Sequence, residues 1–493
     1  MAATAFVSQK GWSHFSLFVL VVALLGNLCV LTNPYLWFDD ANQFYISLGI
    51  PRDTAPFAPW GAFSDIVREN NRYLFDPLGY SLLLRVWQEL STAVVWIRSL
   101  SLWGTVGLLW TAYRLLRTLD IAKTEAILLT GLLLSSPLLY QFSGELRPYS
   151  YEAWGTLYAL LLAYRYQPGK SIRWLLGQGL ALSFFMCMRY PVVIPIGLAS
   201  FLMVWKTLKA PTASGTYFKR LGAFGAPLAL NAVFIYLCCI RQQPVDSNGL
   251  SYSFSSMLYY GTAFLLHPWT AVFHLFVLLF AITFLFRKPV QGRYRKQVVL
   301  LGIFTGLSFL IWNLLSAVGT IAADPNTRWA IGLNAIAMLC LCVTAAMLLQ
   351  RVRSSWLPVA YIALAALVLF RPLLMTSRWA SGNRMYFGSP YMVAEMSQDA
   401  KKIKGPIWIS EGMNRDIKYL YEYGALKKEQ QADGYPQHFV LFNTQNGTAI
   451  LEQLPLHQKV AWWGITNRFE KDDRFRTTPI PGASFYKWLW RVR

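Results

Sequence analysis

The sequence predicts a polytopic α-helical membrane protein that ends in a small α/β domain. Two observations carry this prediction. Apolar stretches of about 18 residues or more recur along the chain, each long enough to cross a bilayer as a helix. From about residue 376 the composition turns polar, and short strand-like runs replace the long apolar ones. The chain of 493 residues is 55% hydrophobic, 16% aromatic and only 14% charged. A soluble protein would carry about 25% charged residues.

About eleven spans are read, over residues 14–32, 94–113, 124–141, 149–165, 172–188, 190–206, 221–240, 264–286, 297–317, 329–349 and 355–375. The first follows Lys10 and has no small-x-small cleavage site after it, so a retained span is expected rather than a cleaved signal peptide. An outer stretch of about residues 33–93, rich in Pro, Trp and Tyr, comes next. It closes on "LGYSLLLRVWQEL", which reads as an amphipathic helix lying in the interface. The spans at 172–188 and 190–206 are divided by Met188-Arg189-Tyr190-Pro191, where an Arg and a Pro interrupt the apolar run. In the tail, "GPIWIS", "HFVLF" and "KVAWWGI" read as strands and Arg415 to Leu426 as helix-like. The expected domains are therefore 1–375, the transmembrane part with its outer stretch, and 376–493, outside the membrane.

Charge sets the orientation. The net charge of +21 could suggest nucleic acid, but the basic residues sit in short loops between spans. Arg114, Arg117, Lys123, Arg165, Lys170, Arg173, Lys206, Lys209, Lys219, Arg220, the "RKPVQGRYRK" loop, Arg351 and Arg353 all fall on one side. That side is cytoplasmic by the positive-inside rule, where these residues also face anionic lipid. The other side holds Asp39, Asp40, Asp53, Asp65, Glu69, Asp76, Glu145, Asp246 and Asp324. The six cysteines lie in apolar segments and read as small hydrophobes, not as a disulfide framework or zinc cluster.

Polar residues gather at the outer ends of the spans. Asp39 and Asp40 follow the first. "NRYLFDPLGY" brings Asn71, Arg72, Tyr73 and Asp76 back to the membrane, and "SGELRPYSYE" offers Glu145, Arg147, Tyr149 and Glu152. "MRYP" adds Arg189 and Tyr190, "LLHPW" adds His267, and "DPNTRW" adds Asp324 and Arg328. Taken singly, each suits an ordinary wet loop; several at one expected depth mark a functional path. A carboxylate can serve as general base on a hydroxyl. Arginines hold phosphate through forked hydrogen bonds. An aromatic-rich apolar groove can hold a lipid tail. Together these suit group transfer from a lipid phosphate to an acceptor hydroxyl at the outer face.

The same motifs resemble those of the GT-C superfamily of polytopic glycosyltransferases, in the branch with protein O-mannosyltransferases and the bacterial lipid A aminoarabinose transferase. That branch has an acidic pair, usually Asp-Glu, after the first span; "WFDDA" matches with Asp in place of Glu. Its His-Pro-Pro-Leu segment before an amphipathic helix is similar in layout to "FDPLGYSLLLRVW", with Asp76 where His often stands. Its Glu-x-Arg-x-Tyr motif matches "ELRPY", Glu145 to Tyr149. Arg189-Tyr190 and Arg328-Trp329 match two further pairs, and the likeness runs in order over about residues 10–350.

The resemblance implies an inverting transferase with Asp39 as base and Asp40 orienting it or helping to bind. It implies that Arg147, Arg189 and Arg328, with Tyr149 and Tyr190, hold the donor phosphate. Arg72, Asp76, Glu145 and His267 are the further substrate-binding candidates. The implied donor is a polyprenyl-phosphate sugar, and the implied acceptor a hydroxyl on an envelope glycan, a lipid or a protein. The site and tail would face the periplasm from a bacterial inner membrane, among membrane lipids and without nucleic acid. No cofactor is certain. Members of the branch differ in metal dependence, so a divalent ion, with His267 and Glu145 as its candidate ligands, is left open. Two other readings stay open. An O-antigen polymerase or ligase uses a large mid-chain outer loop, whereas the loop here, about 241–263, is short and low in charge. A transporter or flippase would place polar residues at mid-membrane.

Overall fold

The computed structural model describes residues 9–32, 36, 38–51, 59–74, 76–210, 214–242, 293–317, 331–350 and 352–380, and in the tail 399, 403, 407–410, 419, 423, 439–442, 456–463, 473–481 and 483–492. The chain divides into two compact units. One comprises Met1–Val30, Phe75–Tyr80 and Ser101–Ser377; the other comprises Leu31–Leu74, Ser81–Leu100 and Arg378–Arg493.

The first unit is helical. Among its described residues, Tyr190–Leu208, Tyr217–Gln242, Ile331–Leu349 and Leu357–Ser377 are long and apolar enough to cross a membrane. Gly11–Gly26, Ile172–Met188 and Val298–Trp312 are shorter apolar helices. The expected span at 264–286 lies outside the described residues. Ile331–Leu349 is the enclosed member, with 78% of its apolar window buried against 22% for Leu357–Ser377. Trp103, Trp110, Phe201 and Phe370 point outward, as lipid-facing side chains do.

Two expected spans are broken, and the reasons are local. The first divides into α1 (Gln9–Gly26) and α2 (Leu28–Leu31). At the break the Gly26 carbonyl accepts from Tyr140 Oη at 2.9 Å, and the buried Asn27 accepts from Ser143 Oγ at 2.9 Å. These bonds replace the intrahelical ones that the break removes. The third becomes α7 (Lys123–Gly131), a 3₁₀ turn (Leu132–Ser135) and α8 (Pro137–Phe142). Ser136 caps α8 with its side chain and Pro137 opens it, a start signal inside an apolar run.

Helix α6 (Val94–Thr118) meets α9 (Tyr149–Arg165) through two glycines. A Cβ on Gly104 would stand 2.4 Å from Ser150 Oγ, and one on Gly107 would stand 2.4 Å from the Trp154 ring. Small residues of this kind let membrane helices approach closely. Trp154 is held by its own bond from Nε1 to Thr111 Oγ1 at 3.0 Å, so it cannot swing aside freely. Gly107→Ala should therefore lower the thermal stability of the detergent-solubilised protein, at a cost of about 1–3 kcal/mol for overpacking. An unchanged melting temperature would remove this contact as a determinant of packing.

The second unit holds the outer stretch and the tail. Helices α3 (Phe38–Ser47), α4 (Phe63–Tyr73) and most of α5 (Gly79–Leu90) are laced by buried polar side chains. Gln43 Nε2 donates to Ser81 Oγ at 2.9 Å, and Ser81 Oγ donates to Asn70 Oδ1 at 2.6 Å. Ser47 Oγ donates to Gln88 Oε1 at 2.9 Å. Gly49, at φ +66°, turns the chain after α3 in the left-handed region that favours glycine. Trp87 and Trp96 stack at 4.7 Å and exchange bonds from each indole Nε1 to the other's carbonyl, at 2.9 and 2.8 Å, which closes the turn between α5 and α6.

The three stretches read as strands in the tail are β1 (Ile407–Ser410), β2 (Phe439–Phe442) and β3 (Val460–Trp463). The hairpin β4 (Phe475–Ile480) and β5 (Ala483–Arg491) completes a sheet of order β2-β1-β3-β5-β4. β1 is parallel to β2 and β3, whereas β5 is antiparallel to β3 and β4. Most of the outer stretch shares its unit with this tail, whereas Phe75–Tyr80 belongs to the first unit. Aromatic contacts account for that: Phe44 lies edge-on to Tyr419 at 5.0 Å and to Tyr423 at 5.1 Å, and Trp60 Nε1 donates to Tyr423 Oη at 3.3 Å.

Candidate active site

The acid pair lies in the second unit. Asp39 and Asp40 occupy the first turn of α3, where carboxylates meet the positive end of the helix dipole. Neighbours on a helix point about 100° apart, so the two acids have different surroundings. Asp39 is half-buried. Asp40 is 0% exposed, and its Oδ2 accepts from Arg98 Nη2 at 3.2 Å. Arg98, 3% exposed, comes from the start of α6. Tyr419 of the tail is buried and close enough to Arg98 to sense its charge; burial raises its phenol pKa and Arg98 opposes that rise. Arg72 is exposed, with its guanidinium 5.1 Å from the centre of the Tyr73 ring.

The arginine cluster lies in the first unit and is built from three segments. The segment 75–80 brings Asp76. It packs tightly on the end of α10 (Ile172–Met188), because a Cβ on Gly79 would meet the Cys187 carbonyl oxygen at 2.5 Å. The "ELRPY" loop brings Arg147 and Tyr149. Ser101 Oγ donates to the Glu145 carbonyl and shares a 3.0 Å bond with Tyr80 Oη, so both segments are tied to α6. The third segment is the interruption at Arg189. α10 ends there, Arg189 is extended (φ −160°, ψ 138°), and a 3₁₀ turn Tyr190–Val192 leads into α11 (Val193–Leu208).

These segments bring Asp76, Arg147, Tyr149 and Arg189 together with Glu152. Arg189 is 0% exposed. Its Nε lies 3.4 Å from Asp76 Oδ1 and 3.1 Å from Glu152 Oε2, and its Cζ stands 4.3 Å from the centre of the Tyr149 ring. Arg147 Nη2 lies 3.6 Å from Asp76 Oδ2, and its Cζ stands 5.6 Å from the same ring. Burial works against the charge on Arg189, but Asp76, Glu152 and Tyr149 more than offset it. The pKa of Arg189 accordingly lies above the ordinary arginine value. Both guanidiniums are thus pre-placed and charged, each beside a carboxylate. Tyr190 is half-buried. A small pocket with room for little more than a water molecule borders Glu152, lined mainly by Pro191, Ile194, Pro195, Trp312, Leu333 and Ile336.

His267 and Arg328 lie outside the described residues. Glu145 is buried and its Oε1 accepts from Gln141 Nε2 at 2.8 Å. Among the described residues, no three His, Cys, Asp or Glu side chains gather as a metal site. Sequence reasoning missed Arg98 as a site residue and assigned Glu152 no role. Arg98 carried a signal, as a lone charge one turn inside the apolar "VVWIRSLSLWG". Glu152 stands three residues after Tyr149, one helical turn along the same face.

No protein-family model matches the sequence, and no curated protein matches it. Solved structures do resemble it. The crystal structure of ArnT from Cupriavidus metallidurans bound to undecaprenyl phosphate aligns with a TM-score of 0.54 at 14% identity, covering 97% of this chain and 98% of that one. Its apo state gives 0.48 at 14% identity, with 97% of each chain covered. The oligosaccharyltransferase of Archaeoglobus fulgidus, in complex with Zn and sulfate, gives 0.42 at 12% identity over 81% of this chain and 61% of that one. The likeness to the undecaprenyl phosphate complex shows that the chain shares the fold of that structure.

Proposed function

We propose that this protein is an inverting glycosyltransferase that moves a sugar from a polyprenyl-phosphate donor to an acceptor hydroxyl at the outer face of a bacterial inner membrane. One observation carries the reading: in a chain with this fold, the adjacent acids divide into a buried, ion-paired Asp40 and a half-buried Asp39. In this reading Asp39 meets the acceptor, and Asp40, ion-paired with Arg98, holds the start of α3 in position.

In the proposed reaction Asp39 takes the proton of the acceptor hydroxyl. The oxygen attacks the anomeric carbon from the side opposite the phosphate, and the bond from that carbon to the phosphate oxygen breaks. One displacement inverts the anomeric centre and releases polyprenyl phosphate. Arg147 and Arg189, with Tyr149 and Tyr190 nearby in the chain and Arg328 as a third cation, stabilise the charge that develops on the leaving phosphate. Donors placed before the reaction are the most effective for this purpose. The cluster of Arg147, Arg189, Asp76 and Glu152 balances two positive against two negative charges. Carboxylates beside them let the two arginines stay buried. The tail domain, on the same side as the acids, is the proposed acceptor-facing part, and the acceptor is an envelope glycan, lipid or protein.

The direct test is transfer in proteoliposomes containing purified protein and a polyprenyl-phosphate sugar, read as a mass increase on the acceptor and inversion at the anomeric carbon. Absence of both with a panel of such donors overturns the reading. A second test addresses the phosphate. Arg147→Ala should weaken donor binding by roughly tenfold or more, as loss of a charge-assisted hydrogen bond does. Arg147→Lys should recover it only in part, because an ammonium cannot form the guanidinium fork. Equal donor affinity in the wild type and both variants would remove Arg147 from the phosphate site.

A further inference from the structure

Glu152 meets an ion-pair partner on one carboxylate oxygen and a hydrogen-bond donor on the other. Oε2 lies 3.1 Å from Arg189 Nε, and Oε1 accepts the N–H of Gly332 at 2.9 Å. Gly332 is the second residue of the helix Ile331–Leu349. Its N–H is thus held by a side chain from another helix. Glu152 itself is 1% exposed. The helix start comes this close because residue 332 has no side chain: a Cβ there would stand 2.5 Å from Thr156 Oγ1 and 3.3 Å from Glu152 Oε1.

Glutamate suits both tasks at once. Glutamine could still accept from Gly332, but would remove the negative charge that faces Arg189. Aspartate is one methylene shorter and could not span both partners from the same backbone position. The guanidinium of Arg189 is gripped at Nε by Glu152 and Asp76 and rests on the Tyr149 ring. Gripping a guanidinium along its Nε edge fixes the direction in which its Nη edge points.

We propose that Glu152 is a positioning residue for the donor phosphate, linking Arg189 to the helix Ile331–Leu349 through Gly332. The role rests on the function proposed above. It predicts that Glu152 acts through Arg189 and not independently of it.

The experiment is a double-mutant cycle in the full-length purified protein, with undecaprenyl phosphate as the probe and melting temperature read on the same samples. Glu152→Gln should weaken undecaprenyl phosphate binding by about tenfold, a coupling in the middle of the range for groups in one network. Glu152→Gln combined with Arg189→Ala should bind no worse than Arg189→Ala alone. Gly332→Ala, which crowds the same carboxylate from its other side, should reproduce the binding loss with Arg189 present. Losses that multiply in the double variant, or wild-type affinity in Glu152→Gln, would overturn the role. A drop in melting temperature with unchanged affinity would also overturn it, by making Glu152 structural. A wild-type protein that does not bind undecaprenyl phosphate would instead overturn the proposed function, and this role with it.

Discussion

Asp39→Asn should abolish detectable sugar transfer while leaving expression, membrane insertion and donor binding in place. The substitution keeps size and hydrogen-bonding capacity, and Asn is tolerated at helix starts, so α3 should form as before. What it removes is the capacity to accept a proton from the acceptor. Loss of a general base costs about 10²–10⁴ in rate. Asp40→Asn should impair transfer less, because Asp40 is 0% exposed and works through its neighbour. The measurement is transfer from a lipid-linked donor in reconstituted protein, with donor binding assayed separately. Transfer by Asp39→Asn at a near-wild-type rate would make the acid pair an ordinary hydrated helix start.

Removal of Arg98 is the second large effect expected. It makes a 3.2 Å ion pair with Asp40, and the partners are 3% and 0% exposed. Taking one partner from a buried pair strands the other charge and costs about 3–5 kcal/mol. Arg98→Ala should therefore lower the melting temperature clearly in detergent and also lose transfer, since Asp39 follows the backbone of Asp40. The double variant Asp40→Asn with Arg98→Met removes both charges at once. It should regain much of the stability and little of the activity. An Arg98→Ala protein that melts with the wild type would show that the pair is not holding α3.

Much of this protein is legible along the chain. Apolar length marks the spans, the polar tail shows its first three strands, and "WFDD" and "ELRPY" mark acids and arginines without any coordinates. The illegible parts have local causes. The spans broken at Asn27 and Ser136 read as continuous because a hydropathy window averages over one polar residue. The hairpin of β4 and β5 went unread because "RFRTTPIPGASFYKWLWRVR" mixes charges, prolines and aromatics and lacks a clean alternation. The outer stretch read as part of the membrane domain because its aromatics suit an interface as well as they suit Tyr419 and Tyr423.

The sequence by itself determined which residues carry charge at the span ends, and therefore the kind of chemistry open to the protein. Only the tertiary structure decided which charges meet. Asp40 with Arg98, and Arg189 with Asp76 and Glu152, are partners far apart in the chain. Hydropathy and spacing are properties of neighbours in sequence. A buried ion pair depends instead on how closely helices approach and in which direction each side chain leaves its helix, and both are set by packing, as at Gly79 and Gly332. That is why the adjacent, chemically identical acids at 39 and 40 had different roles only by family resemblance, whereas their surroundings in the fold differ outright.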